Sequence, residues 1–259
     1  MPFHYEEPLR DDYHSAGLVV LRDLIPSALL VDLRRESDIA RVVARKRFGA
    51  QCQRLQPVYA FEEVDPKPFR AFLALDGLRA TVEGILGNGH ESTDNMGILL
   101  EPAELAWATN WHRDWGHHVQ DLDMDRFYAV ASNHRVFNQL NAALWDDDSL
   151  WVVPGSHDRP DTPGEAGAFD RIPAPGPELR EEMTPTEREA ALDAYVTQMP
   201  GATQVRLGVG DVAFYRASGW HLGRYRTDAP RATLHDGFYC DDDRAWREEM
   251  KAHAAATKK

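Results

Sequence analysis

Cysteine is scarce in this chain of 259 residues: Cys52 and Cys240 are the only two. Two thiols without CxxC spacing build neither a disulfide framework nor a structural zinc cluster, so unpaired thiols in a reducing cytoplasm are expected. Long apolar runs are also missing, and none approaches the ~20 residues of a membrane span. The N-terminal Met1-Pro2-Phe3-His4-Tyr5-Glu6-Glu7 lacks the basic-then-apolar layout of a signal peptide. Positive charge is in deficit, with 29 Lys and Arg against 42 Asp and Glu and a formal net charge of -13. That balance argues against nucleic acid as a partner and against a surface built for a polyanion such as coenzyme A. A neutral or cationic small substrate suits it, as does a plain solubilising role for the excess acid. Fixed-period repeats and low-complexity tracts are absent as well.

What is present is an ordinary globular balance, 43% hydrophobic and 27% charged, in a chain long enough to bury one sizeable core. Tyr13 to Arg22 reads as a short strand. Apolar spacing of three and four then predicts helices over Ser27–Val43 and Pro68–Leu86, the second stopping in Gly87-Asn88-Gly89. From Met96 the texture changes to short apolar runs. Strands are expected at Met96–Leu100, Ala108–His112, Arg135–Leu144, Leu150–Val153, Thr203–Leu207, Asp211–Tyr215, His221–Tyr225 and Ala232–Tyr239. Thr184-Pro185-Thr186-Glu187 is a capping box leading into a helix that runs to Met199. The Gly- and Pro-rich stretch from Gly155 to Pro177 is too long to be mere connection. The expected fold is mainly β with flanking helices, a double-stranded β-helix or cupin-like jelly roll. It is expected as one domain: a helical part about 1–95, a jelly-roll core about 96–240 and a terminal helix about 244–255.

The most telling local feature is Asn110-Trp111-His112-Arg113-Asp114-Trp115-Gly116. On a strand, side chains i and i+2 leave the same face, so His112 and Asp114 can share one metal ion. Two histidines and one carboxylate with open positions form the facial triad of non-haem Fe(II) oxygenases. His221 qualifies as third ligand, because it follows the Gly208-Val209-Gly210 turn and an apolar strand. His117, His118, His134, His157 and His235 compete for that place, and a lone HxD pair is weak in an acidic chain.

Four stretches, in order, lift the case: Asp12-Tyr13-His14-Ser15-Ala16-Gly17, Trp111-His112-Arg113-Asp114, Val153-Pro154-Gly155-Ser156-His157, and Gly210-Asp211-Val212 with His221 and Arg231. With them the chain resembles the phytanoyl-CoA dioxygenase family of Fe(II)/2-oxoglutarate oxygenases, from near residue 12 to near residue 240. The resemblance implies that His112, Asp114 and His221 bind iron. It implies that Arg231, ten residues past His221, grips the far carboxylate of 2-oxoglutarate, a role its fixed guanidinium fork suits. Thr233 shares that strand face and is expected to donate to the same carboxylate. Asn141 falls where family members place a residue against 2-oxoglutarate, and Gln139 shares its face, although both are amides where a bulky apolar residue is expected. Arg224 and Arg226 are expected to face solvent, and His157 belongs to a structural turn.

The implied reaction oxidises a substrate C–H bond, by hydroxylation, oxidative cyclisation or desaturation, as 2-oxoglutarate is decarboxylated to succinate with dioxygen. Asp114 argues against a halogenase. Trp115, His117, His118 and Trp220 are candidate substrate contacts. Trp107, Trp111, Trp145 and the acids Asp146-Asp147-Asp148 add an aromatic, acidic setting suited to a sugar or other polar metabolite. That suggests tailoring in secondary metabolism, for instance of a sugar-containing antibiotic. The alternatives are a non-catalytic jelly-roll binding protein that keeps its ligands as relics, and a cupin-type metalloenzyme that does not use 2-oxoglutarate.

Overall fold

The computed structural model describes residues 3–116, 119, 121–169 and 176–257. The chain opens with helix α1 (Pro8–Ala16), strand β1 (Leu18–Leu21), helix α2 (Ser27–Phe48) and strand β2 (Arg54–Leu55). Helices α3 (Lys67–Leu73) and α4 (Asp76–Leu86) follow, then strands β3 (Glu91–Ser92), β4 (Gly97–Leu100) and β5 (Trp107–Ala108). Next come α5 (Met124–Ala131), β6 (Asn138–Ala143), β7 (Leu150–Val152), α6 (Pro163–Phe169) and α7 (Pro185–Thr197). The chain continues through β8 (Thr203–Gln204), β9 (Val212–Arg216), β10 (His221–Tyr225), β11 (Ala232–Asp236), β12 (Phe238–Tyr239) and α8 (Asp241–Thr257).

One antiparallel sheet has the order β1-β9-β6-β11-β4-β2, and a second has the order β5-β10-β7-β8. From β4 to β11 the chain places β4, β6, β9 and β11 in the first sheet and β5, β7, β8 and β10 in the second. This is the double-sheet jelly roll expected from strand frequency, mainly β with flanking helices. The N-terminal part adds β1 and β2 to the edges of the larger sheet.

The sequence expectations shift in two places. The segment from Tyr13 begins in a helix, because Pro8 sits in its first turn and Tyr13 is buried, its ring stacked 5.1 Å from Phe214. Gly17, with φ of 73°, ends that helix and turns the chain into β1. The helix expected over Pro68–Leu86 is two, because Leu75 takes an extended backbone at ψ 126°. That break lets Phe69 and Phe72 on one piece, and Leu78, Val82 and Ile85 on the other, reach the same core. The capping box at Thr184 is formed reciprocally with Glu187.

The larger sheet packs one face on α2, α3 and α4. Its inward residues there, Leu140, Ala142, Val212, Phe214, Ala232 and Leu234, join one apolar cluster with Leu33, Phe69 and Phe72. The opposite face looks towards the second sheet and carries the polar residues that build the site. Among the described residues no helix is long and apolar enough to cross a membrane.

Candidate metal centre and its cavity

His112, Asp114 and His221 come together, with one potential ligand atom from each lying within 4.8 Å of the others. The expected strand through His112 is not there: β5 ends at Ala108, His112 makes an isolated bridge with His221, and Asp114 lies in a turn. The alignment comes instead from backbone hydrogen bonds. His112 and His221 exchange N–H···O bonds of 3.1 and 3.0 Å, and the Asp114 N–H donates to Ala217 at 2.8 Å. Trp115 then turns the chain away at φ 68°, an unusual conformation for a residue with a side chain.

Arg113, between the two ligands, is fully buried and points away from them. Its guanidinium donates to the Ser218 carbonyl at 2.8 Å, to the Ser156 carbonyl, and to Asp161 at 2.7 Å. One side chain thus ties the ligand loop to the Pro154-Gly155-Ser156-His157 turn and to the segment leading into His221. His157 is not at the metal centre. It packs under Gly17, where a Cβ would fall 2.5 Å from its Nδ1, and its Nε2 meets the His14 carbonyl at 3.2 Å.

The donor set suits a divalent metal. His112 Nδ1–H donates to the Asn110 carbonyl at 2.7 Å and His221 Nδ1–H to the Gly219 carbonyl at 3.0 Å. Each ring therefore turns its Nε2 lone pair inward. These nitrogens stand 3.5 and 3.9 Å from Asp114 Oδ1. Neighbouring donors at ~2.1 Å from a metal stand about 3 Å apart, so only a small contraction is needed. Burial, and next the adjacent His221, push His112 down to about 4, which keeps its lone pair free of a proton at neutral pH. The other oxygen, Asp114 Oδ2, accepts from Gln139 Nε2, and the Tyr215 hydroxyl donates to Gln139 Oε1 at 2.8 Å.

A second cluster, His90, Cys240 and Asp243, has metal-like spacing. Both His90 ring nitrogens face carbonyls, of Gly87 at 3.0 Å and Arg135 at 2.9 Å, so neither lone pair aims at an ion.

The triad opens into a cavity of about 520 Å³ that Gln139, Asn141, Tyr225, Arg231 and His235 also line. Arg231 Nε donates to Asp147 at 3.1 Å, and its Cζ lies 4.8 Å from the Tyr225 ring centroid. Its Nη1 is buried without a hydrogen-bond partner among the described residues. An unsatisfied buried donor costs about 1–3 kcal/mol, so this atom marks a place for an acceptor. Asp147 is buried, which by itself raises a carboxyl, but Arg231, Ser149 and Thr233 together hold it below the usual carboxylate range. The Thr233 hydroxyl is occupied by that contact, at 2.5 Å from Asp147. Asn141 Oδ1 accepts from His235 Nδ1–H at 2.8 Å. Burial pushes His235 down to about 3, so it is neutral.

Several sequence expectations are corrected here. Trp220 does not reach the cavity: it is 1% exposed, lies among Trp111, Val153 and Tyr195, and donates Nε1–H to Asp161 at 2.9 Å. Trp145 lies on the outer side under Arg34, 4.9 Å from its ring centroid. Thr233 and Asp147 serve Arg231 rather than the cavity. Arg224 is buried against Glu189 and Asp193, not solvent-facing. Trp115 lines a neighbouring cavity, and His117 and His118 lie outside the described residues. Arg54, on the two-residue edge strand β2, lines both cavities and carried no signal in the sequence.

No protein-family model and no curated protein sequence matches the chain. Solved structures do match. AviO1 from Streptomyces viridochromogenes Tue57 is 14% identical with a TM-score of 0.58, covering 92% of this chain and 96% of its own. The likeness to these solved structures is one of fold. SnoK, a non-haem alpha-ketoglutarate-dependent carbocyclase from nogalamycin biosynthesis, is 15% identical with a TM-score of 0.59, over 93% and 87% of the two chains. EctD from S. alaskensis, solved with bound Fe, is 16% identical with a TM-score of 0.58, over 91% and 77%.

Proposed function

We propose that this chain is an Fe(II)- and 2-oxoglutarate-dependent oxygenase related to the phytanoyl-CoA dioxygenase family, acting on a C–H bond of a small metabolite in secondary metabolism. The observation that carries this is one cavity holding the His112, Asp114 and His221 donors together with the unpartnered Nη1 of Arg231. The relatives by fold include SnoN, an epimerase solved with Fe3+, alpha ketoglutarate and nogalamycin RO, and EctD solved with 2-oxoglutarate and 5-hydroxyectoine. Those structures support the cofactor choice and leave hydroxylation, cyclisation and epimerisation open as outcomes.

His112 Nε2, His221 Nε2 and Asp114 Oδ1 would hold Fe(II), and Arg231 would take the far carboxylate of 2-oxoglutarate. Once bound, the metal and co-substrate supply, with dioxygen, the oxidising power that removes a C–H hydrogen. The chain's own groups set the geometry. Gln139, held by Tyr215, fixes the rotation of the Asp114 carboxylate. Asp147 fixes the guanidinium plane of Arg231 and offsets its buried charge. Leu99, Leu150 and Leu222 wall the cavity and limit water around the reacting atoms.

Anaerobic addition of Fe(II) and 2-oxoglutarate is expected to give the visible metal-to-ligand charge-transfer band of this cofactor pair. Arg231→Ala is expected to weaken 2-oxoglutarate binding by about 100-fold, as loss of a charge-assisted bidentate contact does. Absence of the band from the wild-type chain would sink the reading.

A further inference from the structure

A second cavity, of about 470 Å³, lies on the other side of Asp114 and Gln139, which line both. Its acids are already committed. Asp236 accepts from Ser92, Thr93 and the Gly237 N–H. Asp243 accepts from the Phe137 and Cys240 N–H groups, and Asp114 belongs to the metal centre. Asn138 is spent too, bonded through both ends of its amide to Phe238.

The cations are different. Arg247, from α8, lies with its Cζ 3.9 Å from the Tyr239 ring centroid and 5.2 Å from that of Trp115. The two rings meet the guanidinium on their faces, and no hydrogen bond or ion pair engages its N–H groups among the described residues. Arg54, exposed to solvent, lines the same cavity, likewise without an acidic partner among the described residues.

We infer that this second cavity is the substrate chamber, and that it takes an anionic substrate whose oxyanion group, a carboxylate or a phosphate ester, is gripped by Arg247 with Arg54. The inference rests on the oxygenase reading for the role of Asp114, and it replaces the neutral or cationic substrate that net charge alone suggests. A guanidinium pinned on aromatic faces keeps its fork pre-organised for a planar oxyanion. The oxygens of Asp236 and Asp243 already accept from neutral donors, which leaves the arginine N–H groups to meet a ligand.

The test is calorimetric titration of the full chain, anaerobic and loaded with Fe(II) and 2-oxoglutarate so that Arg231 is already occupied. The probes are benzoate, phenyl phosphate, benzamide and benzylamine. Benzoate or phenyl phosphate is expected to bind about tenfold or more tightly than benzamide, with benzylamine weakest. Whichever of the two anions binds more tightly tells a carboxylate from a phosphate substrate. Arg247→Gln is expected to remove that preference and Arg247→Lys to restore part of it. If Arg247→Gln does not fold, Arg54→Gln and the wild-type ranking still decide. Equal binding of benzoate, phenyl phosphate and benzamide, a preference for benzylamine, or no binding by any probe would overturn the proposal. The charge-transfer band is read on the same samples. A preserved band without anion preference refutes the chamber alone, whereas anion preference lost in Arg247→Gln without a band retains the anion site and refutes the oxygenase.

Discussion

Along β6, β9 and β11, alternate residues face two different worlds. Leu140, Ala142, Phe214 and Leu234 enter the apolar cluster under α2, α3 and α4. Their immediate neighbours Gln139, Asn141, Tyr215 and His235 line the cavity beside the metal centre. The backbone ladder is shared, so the difference is wholly in side-chain chemistry. The first face stabilises by area removed from water and tolerates any well-fitting hydrocarbon. The second buries polar groups that are tolerable only in mutual pairs, and each pair fixes a direction in space. One face makes the protein fold, and the other aims its ligands.

Phe214→Ala tests the helix-facing side. It removes a fully buried ring that stacks on Tyr13 and packs against Phe238, and it is expected to cost about 4 kcal/mol in urea unfolding. Asp147→Asn tests the cavity side at nearly the same scale. It preserves shape while leaving the Arg231 charge buried without its counter-ion, an expected loss of about 3 kcal/mol. The two differ in kind. Only Asp147→Asn is expected also to weaken 2-oxoglutarate, by about tenfold in a charge-transfer titration, because it frees the guanidinium plane. Equal effects of both variants on that titration would erase the distinction between the faces.

The alternation is legible in the amino-acid sequence, since Gln139 and Asn141 share a strand face and Leu140 and Ala142 share the other. The metal triad is legible because HxD with a later His is a short motif, although the strand invoked to align His112 and Asp114 is replaced by hydrogen bonds to His221 and Ala217. Arg54 is not legible, because a two-residue edge strand has no period to read. Arg247 is not legible either. It sits in a polar helix, and only the tertiary placement of Tyr239 and Trp115 distinguishes it from a solvated arginine. Asp147 reads as one of three acids open to substrate, because sequence does not reveal which member of a run turns inward to meet Arg231.

Gln139→Leu sharpens the comparison from the cavity side. The leucine is about as large as the amide but donates nothing to Asp114, so the carboxylate can rotate. Loss of such an outer partner typically lowers metal affinity by about 10–100-fold, measurable by competition with a fluorescent chelator. Unfolding stability is expected to change less than for Phe214→Ala. A fall in stability without a fall in metal affinity would place Gln139 with the packing residues.

Tyr215→Phe gives the smallest expected effect and separates two ways in which Gln139 can work. Among the described residues the Tyr215 hydroxyl has one hydrogen-bond partner. It donates to Gln139 Oε1, which leaves Nε2 as the end that meets Asp114. Without the hydroxyl, the amide can flip and present its oxygen to the carboxylate, a repulsive arrangement that part of the population would adopt. Burial, and next the charge of Asp114, raise the Tyr215 hydroxyl above its ordinary range, so it stays protonated and able to donate. The expected loss is about 1 kcal/mol in metal binding, roughly fivefold. In the Gln139→Leu background the same change is expected to do almost nothing to metal affinity, because its effect passes through the amide. An additive double variant would show that Tyr215 acts on the site by packing alone.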